Sequence, residues 1–369
     1  MNTATLLWSL LRISLVAEGS EDATATYVRS VTDEMTDADW EQLMQIARHN
    51  RVTGLCCYGL ERSGCAISVP RRLWLRWLGE RAMVEQQYRR MIETTDQLTH
   101  LFNQNSIDVC ELKGGRIAAC YPRPELREYD DIDIYLYGRD DEGDMLMASQ
   151  GIAIDHSEND RSIYHFHGIK VEQHHTFSNN RHARSNVDFD LMLKELVPSA
   201  TFETLFLLRH TASHFAFSHI TVKAVCDWTQ WVRAEGHEVL WPLVADKLKH
   251  FGMMPFASGL QHIAEQYLCC PPVAELHASL PDEVVTRRMA DAFILGGQGR
   301  PSRERKGVDR ILWKMQRHIQ NRWRRRLAFG DSESSLLTHT LGEHLQRRTY
   351  KITTAHHITV PKPTSQTHQ

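Results

Sequence analysis

The sequence predicts an α+β fold, a small mixed sheet flanked by helical N-terminal and C-terminal regions. Three observations lead there. Apolar residues recur at helical spacing through the first hundred positions, alternate along short runs between about 105 and 175, and return to helical spacing from about Pro198. Glycine pairs and polar stretches separate the alternating runs, as short strands joined by turns require. One of those runs, Arg127-Glu128-Tyr129-Asp130-Asp131-Ile132-Asp133-Ile134-Tyr135-Leu136, places two carboxylates on one face and two isoleucines on the other.

The elements follow in chain order. Leu6 to Ala17 is apolar but interrupted by Arg12, has no basic residue ahead of it and is too short to span a bilayer, so it reads as a core-facing helix of a cytoplasmic protein. Thr36-Asp37-Ala38-Asp39 has the form of a capping box, followed by Trp40, Leu43, Met44 and Ala47. Pro70 opens a longer helix carried by Leu73, Trp77, Val84, Tyr88, Met91, Leu98 and Leu101. Strands are expected at Ile107–Leu112, Ile132–Leu136, Ile152–His156, Ser162–His167 and Ile169–His175, the last two joined through Gly168, which makes a sheet of four or five strands. A short helix through Ile117 to Ala119 and another within 140–151 lie between them. Helical periodicity then resumes with Phe202, Leu205, Phe206 and Leu208, and continues through Val222, Val225, Trp228 and Trp231. The boundaries read as a helical region 1–104, a sheet core 105–197, a helical region 198–350 and a poorly ordered tail 351–369.

Composition constrains the function classes. A chain of 369 residues with 42% hydrophobic and 24% charged residues is long enough for a large buried core. A net charge of -3 argues neither for nor against a nucleic-acid partner overall, so any basic surface is local. Eight cysteines without a C-x-x-C pattern fit reduced thiols better than a disulfide framework or a zinc ribbon.

Asp131 and Asp133 on one strand face repel each other, and a divalent cation with hard oxygen ligands relieves that cost. Upstream, Lys113-Gly114-Gly115 interrupts the first strand ahead of a short helix, where glycine backbone can approach a phosphate closely. A two-metal site calls for a third carboxylate, and Glu172 on the later strand is the candidate. Lys113 and Arg127 are cations positioned by sequence to meet a triphosphate, although Arg127 has Glu125 and Asp130 as rival partners.

At these residues the sequence resembles the bacterial uncharacterised nucleotidyltransferase family of the DNA-polymerase-β-like superfamily. Leu112 to Gly115, Tyr121-Pro122-Arg123-Pro124, Arg127 and Asp130 to Ile134 resemble its signature, and Val171-Glu172-Gln173-His174 is similar to its later acidic strand. His210, His214, Lys223 and Asp227 are similar to the helical region after its core. The resemblance implies a nucleotidyltransferase sheet core. It further implies a Mg²⁺-dependent transfer of a nucleoside monophosphate from an NTP to an acceptor hydroxyl, with release of pyrophosphate. Asp131 and Asp133 would match the metal pair, Glu172 the third carboxylate, and Gly114 and Gly115 the phosphate-side turn. The acceptor, whether small molecule, RNA or protein, is left open. A second class of function, a catalytically silent nucleotide- or RNA-binding regulatory module, shares the same residues.

Other features have plainer readings. Lys223 and Asp227 are four apart on a helix, so an i, i+4 pair competes with a triphosphate-facing role for Lys223. His165, His167, His174, His175, His210 and His214 suggest zinc, but Thr211 stands where an H-E-x-x-H motif needs its glutamate. The basic segment 300–326 carries eleven Arg or Lys among Trp313, Ile319 and Trp323. It reads first as a solvated or core-docking helix, next as a nucleic-acid contact and last as a membrane-surface helix.

Overall fold

The computed structural model describes residues 3–16, 22–157, 160–177, 184–295 and 319–330, with isolated positions at 309, 313 and 316. Most of the basic segment 300–326 and the whole tail 351–369 lie outside the described residues. The described residues belong to one compact unit, Met1–Gly330.

Helices α1 (Thr3–Leu15), α2 (Asp22–Thr32), α3 (Asp37–His49), α4 (Thr53–Arg62) and α5 (Arg71–Gln104) precede the sheet. α1 buries Leu6, Leu7, Leu10 and Leu11, as the sequence predicts. α3 starts on the expected capping box, with the Thr36 hydroxyl accepting from the Asp39 amide while the Asp39 carboxylate accepts from the Thr36 amide. α5 is 34 residues long and buries Leu73, Trp77, Met91, Leu98 and Phe102 along one stripe.

The sheet has four strands, β1 (Cys110–Leu112), β2 (Asp131–Tyr135), β3 (Arg161–Phe166) and β4 (Ile169–His174), in the order β1-β2-β4-β3. β2 and β4 run parallel, and the outer pairs β1–β2 and β4–β3 are antiparallel. α6 (Gly114–Ala118) follows β1, and α7 (Asp140–Ser149) carries the chain from β2 towards β3. The β3–β4 turn uses His167 at φ 49° and Gly168 at φ 78°, the paired left-handed residues of a tight hairpin. Ile132, Ile134, Tyr164, Ile169 and Val171 form a buried cluster with Met91, Leu98 and Phe102 of α5, so the apolar sheet face packs on that helix.

Two expected strands differ from the structure. Ile152–His156 makes only an isolated bridge between Asp155 and Ile163, because the Asp155 carboxylate turns to accept from the Ser157 amide and ends the pairing. The first strand begins at Cys110 rather than Ile107, since the Ile107 amide donates to the Phe102 carbonyl and completes the C-terminus of α5.

After the sheet come α8 (Arg184–Leu196), α9 (Ala200–Phe217), α10 (Lys223–Glu235), α11 (Trp241–His250), α12 (Met254–Leu268) and α13 (Glu283–Leu295). They share one hydrophobic core with α1 to α4, in which Trp40, Trp228, Trp231, Phe215 and Phe256 are fully enclosed. The helix Arg322–Phe329 packs on this core as well, with Trp323 edge-on to Phe215 and the Arg324 guanidinium 5.3 Å from the Phe215 ring centre. The described end of the basic segment is therefore a docked helix whose arginines lie partly over aromatic rings. No helix among the described residues is long and apolar enough to cross a membrane.

Candidate functional site

The parallel pairing of β2 and β4 builds the site. Asp131 stands opposite Lys170, Asp133 opposite Glu172 and Tyr135 opposite His174. Residues in register on neighbouring strands point to the same side, so these six share the polar face of the sheet. Asp133, Glu172 and His174 each bring a ligand atom within 4.8 Å of the other two, and all three are buried. Among the described residues no other group of three or more His, Cys, Asp or Glu meets that test. Glu172 is thus brought to Asp133, as a shared metal site needs. Asp131 shares the face but lies outside this trio, and no hydrogen bond or ion pair to a described residue engages its side chain.

His174 belongs to the site through its link to Asp133. Its Nε2 donates to Asp133 Oδ1 at 2.8 Å and lies 3.9 Å from Glu172, whereas its Nδ1 has no hydrogen-bond partner among the described residues. The signal in the sequence is its position two residues after Glu172 on one strand, which puts both on one face. The other histidines do not join them: His165 is exposed, and the His167 ring bonds Gln97 at 2.7 Å. His210 and His214 sit 4.4 Å apart on α9, and burial pushes the His214 imidazole down to about 4. A zinc constellation of histidines is not formed among the described residues.

Cations of the chain already face the carboxylates. Lys113 Nζ is 3.1 Å from Asp133 Oδ2 and 3.5 Å from His210 Nδ1. Arg161 and Lys170 both pair with Glu172, and Arg161 also donates to Asp160 at 2.7 Å. Burial alone would raise the Asp133 carboxyl, but the Lys113 ammonium and the His174 hydrogen bond outweigh it and hold Asp133 well below the usual carboxylate range. For Glu172, burial is likewise outweighed, chiefly by Arg161, and its carboxyl is lowered. Asp131 moves the other way, raised by burial and by the charge of Asp133.

The glycine turn is held by carboxylates of the chain. The Lys113 amide donates to Glu203 Oε1 at 3.0 Å, and the Gly115 amide donates to Glu111 Oε1 at 2.7 Å. Gly114 has φ 43°, and a Cβ there would stand 2.7 Å from Glu111 Oε1, so only glycine suits both the turn and its partner. Burial pushes the Glu111 carboxyl up to about 7.

Arg127 and Lys223 occupy a separate knot behind this turn. The Arg127 guanidinium grips Asp227 through Nε at 2.7 Å and Nη2 at 3.0 Å, and its Nη1 donates to the Gly114 carbonyl at 2.9 Å. Lys223 donates to Asp227 at 2.9 Å and the Tyr121 hydroxyl donates to the same carboxylate at 2.6 Å. Lys223 and Asp227 are thus an i, i+4 pair, and Arg127 takes Asp227 rather than Glu125 or Asp130. Glu125 pairs with Arg123 and Asp130 with Arg51. Burial, followed by the charge of Arg127, brings the Lys223 ammonium down to about 8.

Neither the comparison with curated proteins nor that with solved structures gives a match. The family comparison does, over a span that holds α3 to α12 with the whole sheet and every residue of the site just described. By that match, over residues 36–268, the chain belongs to the uncharacterised nucleotidyltransferase family.

Proposed function

We propose that this protein transfers a nucleoside monophosphate from an NTP to an acceptor hydroxyl in a Mg²⁺-dependent reaction that releases pyrophosphate. The observation that carries the reading is the register of β2 against β4, which sets Asp133 beside Glu172 on one buried polar face. Asp133 and Glu172 lie within 4.8 Å of each other and of His174, and hard carboxylate oxygens at that range suit a divalent cation.

Asp131, Asp133 and Glu172 would hold the metal, with His174 keeping the Asp133 carboxylate oriented. Bound Mg²⁺ supplies charge neutralisation for the phosphates and a template for in-line displacement. The chain's own residues do the rest. Lys113, reaching from the turn, meets the triphosphate, while Lys223 stays with Asp227 in the knot behind it. Arg127 acts as a positioning residue by fixing the Gly114 carbonyl against α10. Glu172 takes the proton of the acceptor hydroxyl, the oxygen bonds to the α-phosphorus, and the bond to the bridging oxygen of pyrophosphate breaks.

Incubating the protein with each α-labelled NTP, Mg²⁺ and a cell extract tests this reading. Label is expected in one class of acceptor, and the Asp131→Asn/Asp133→Asn double variant should leave it unlabelled. Equal labelling by that variant would sink the proposal. A second reading, a nucleotide- or RNA-binding module without turnover, draws support from the ion pairs that already neutralise Glu172. It predicts Mg²⁺-NTP binding with no pyrophosphate released.

A further inference from the structure

The position of Lys113 carries an inference that rests on the metal-site reading above. Its side chain is only 13% exposed and its ammonium lies 3.1 Å from Asp133 Oδ2, while His174 holds Oδ1 of the same carboxylate at 2.8 Å. Both oxygens of Asp133 are therefore engaged by donors of the chain. The lysine backbone has φ 54° and ψ -120°, a combination that residues with a Cβ rarely adopt. Such a conformation persists only where the surroundings over-determine it. Here they do: Glu203 takes the Lys113 amide, Glu111 takes the Gly115 amide, and Arg127 donates to the Gly114 carbonyl. Three acidic or basic side chains from separate elements thus fix the turn from which one ammonium reaches one carboxylate.

We infer that Lys113 is a built-in counter-ion that keeps a divalent cation off Asp133 until a polyphosphate draws the ammonium away, so that metal and nucleotide enter as a single ligand. The two cations compete for the same oxygen and repel each other at this range. A polyphosphate changes the balance because its oxygens offer the ammonium a new partner and the metal further ligands. The flexible four-carbon stem of lysine lets the ammonium swing while the strained turn stays fixed. Arg161 is different, since it stays tied to Asp160 as well as Glu172 and has less freedom to leave.

Calorimetric titration with Mg²⁺ alone, with inorganic tripolyphosphate in EDTA, and with the two together tests the inference without depending on turnover or on base identity. The wild-type protein should bind Mg²⁺-tripolyphosphate at least about fivefold more tightly than it binds either component. Lys113→Met should bind Mg²⁺ alone at least about fivefold more tightly than wild type and Mg²⁺-tripolyphosphate more weakly, two shifts of opposite sign. Lys113→Arg keeps a cation and should show no gain for Mg²⁺ alone. Wild type binding Mg²⁺ as well alone as with tripolyphosphate overturns the inference, and it does so even if Lys113→Met fails to fold. Unchanged Mg²⁺ affinity in a folded Lys113→Met does the same. The Asp133→Asn variant separates the two levels. If it binds Mg²⁺-tripolyphosphate like wild type, the metal site itself is misassigned; if it loses Mg²⁺-tripolyphosphate while Lys113→Met gains nothing for Mg²⁺ alone, only the counter-ion role fails.

Discussion

On one side of the Lys113–Gly115 turn, Asp227 is held by a two-pronged arginine, a lysine and a tyrosine hydroxyl; on the other, Asp133 has a lysine and a histidine. Both carboxylates are buried and both are held well below the usual range, so burial and acidity do not tell them apart. Their surroundings do. Asp227 is the single acid among its partners, and the planar fork of Arg127 matches it geometrically. Asp133 has Asp131 and Glu172 as neighbours on the same face, and a flexible lysine rather than an arginine as its cation. A knot that only has to hold is saturated and rigid, whereas a site that must accept a ligand concentrates like charge and balances it with groups that can move.

The contrast can be broken by substitution. The largest expected effect is on turnover: Asp131→Asn/Asp133→Asn should lower NTP consumption by on the order of 10⁴-fold or more, ~5 kcal/mol of barrier, with the fold intact by circular dichroism. Retained turnover would place the chemistry elsewhere.

Next comes Arg127→Leu, which leaves Asp227 buried without its main partner and should cost about 3–5 kcal/mol of stability in urea denaturation. The same variant carries a pH signature. The depressed Asp227 carboxyl contributes stability that is present above the ordinary aspartate value of about 3.9 and is lost as pH falls towards the folded value, so removing Arg127 should blunt acid sensitivity. A variant as stable as wild type would show that the knot is dispensable.

Gly114→Ala should destabilise by roughly 1–3 kcal/mol, because φ 43° is strained for alanine and its Cβ meets Glu111. Here thermal unfolding is the readout, and an unchanged melting temperature would mean that the turn relaxes freely. Smallest of all is Arg51→Ala, which removes a pair whose side chains are 40% and 65% exposed and should change stability by less than about 1 kcal/mol. A larger loss would give Arg51 a place beside the buried knots.

Much of this was legible in the chain because it is local. The capping box, the α5 stripe and the aspartate strand follow from spacing alone, as does the hairpin through Gly168. What was not legible depends on distant partners. Arg127 and Asp227 are a hundred residues apart, and local acids such as Glu125 looked equally eligible until packing chose between them. The pairing of Asp133 with Glu172 needs β4 to insert between β2 and β3, which no local pattern states. The carboxylates on the glycine turn were missed for a different reason. Glu111 lies in an alternating strand run and Glu203 in a helical one, and nothing in either pattern signals that their oxygens take backbone amides of the turn.

That inserted strand has a consequence for how the protein guards its chemistry during folding. A slip of β4 by one residue would swap its faces, sending Glu172 and His174 into the apolar layer and Val171 and Gln173 out to Asp133. The layer against α5 has no room for such an exchange, since Val171, Ile169 and Tyr164 are enclosed there with Met91 and Leu98. The greasy side of the sheet thus serves as a ruler for the charged side. Mutations in residues that never touch a nucleotide, Val171 foremost, should misalign the acids as surely as mutations in the acids themselves.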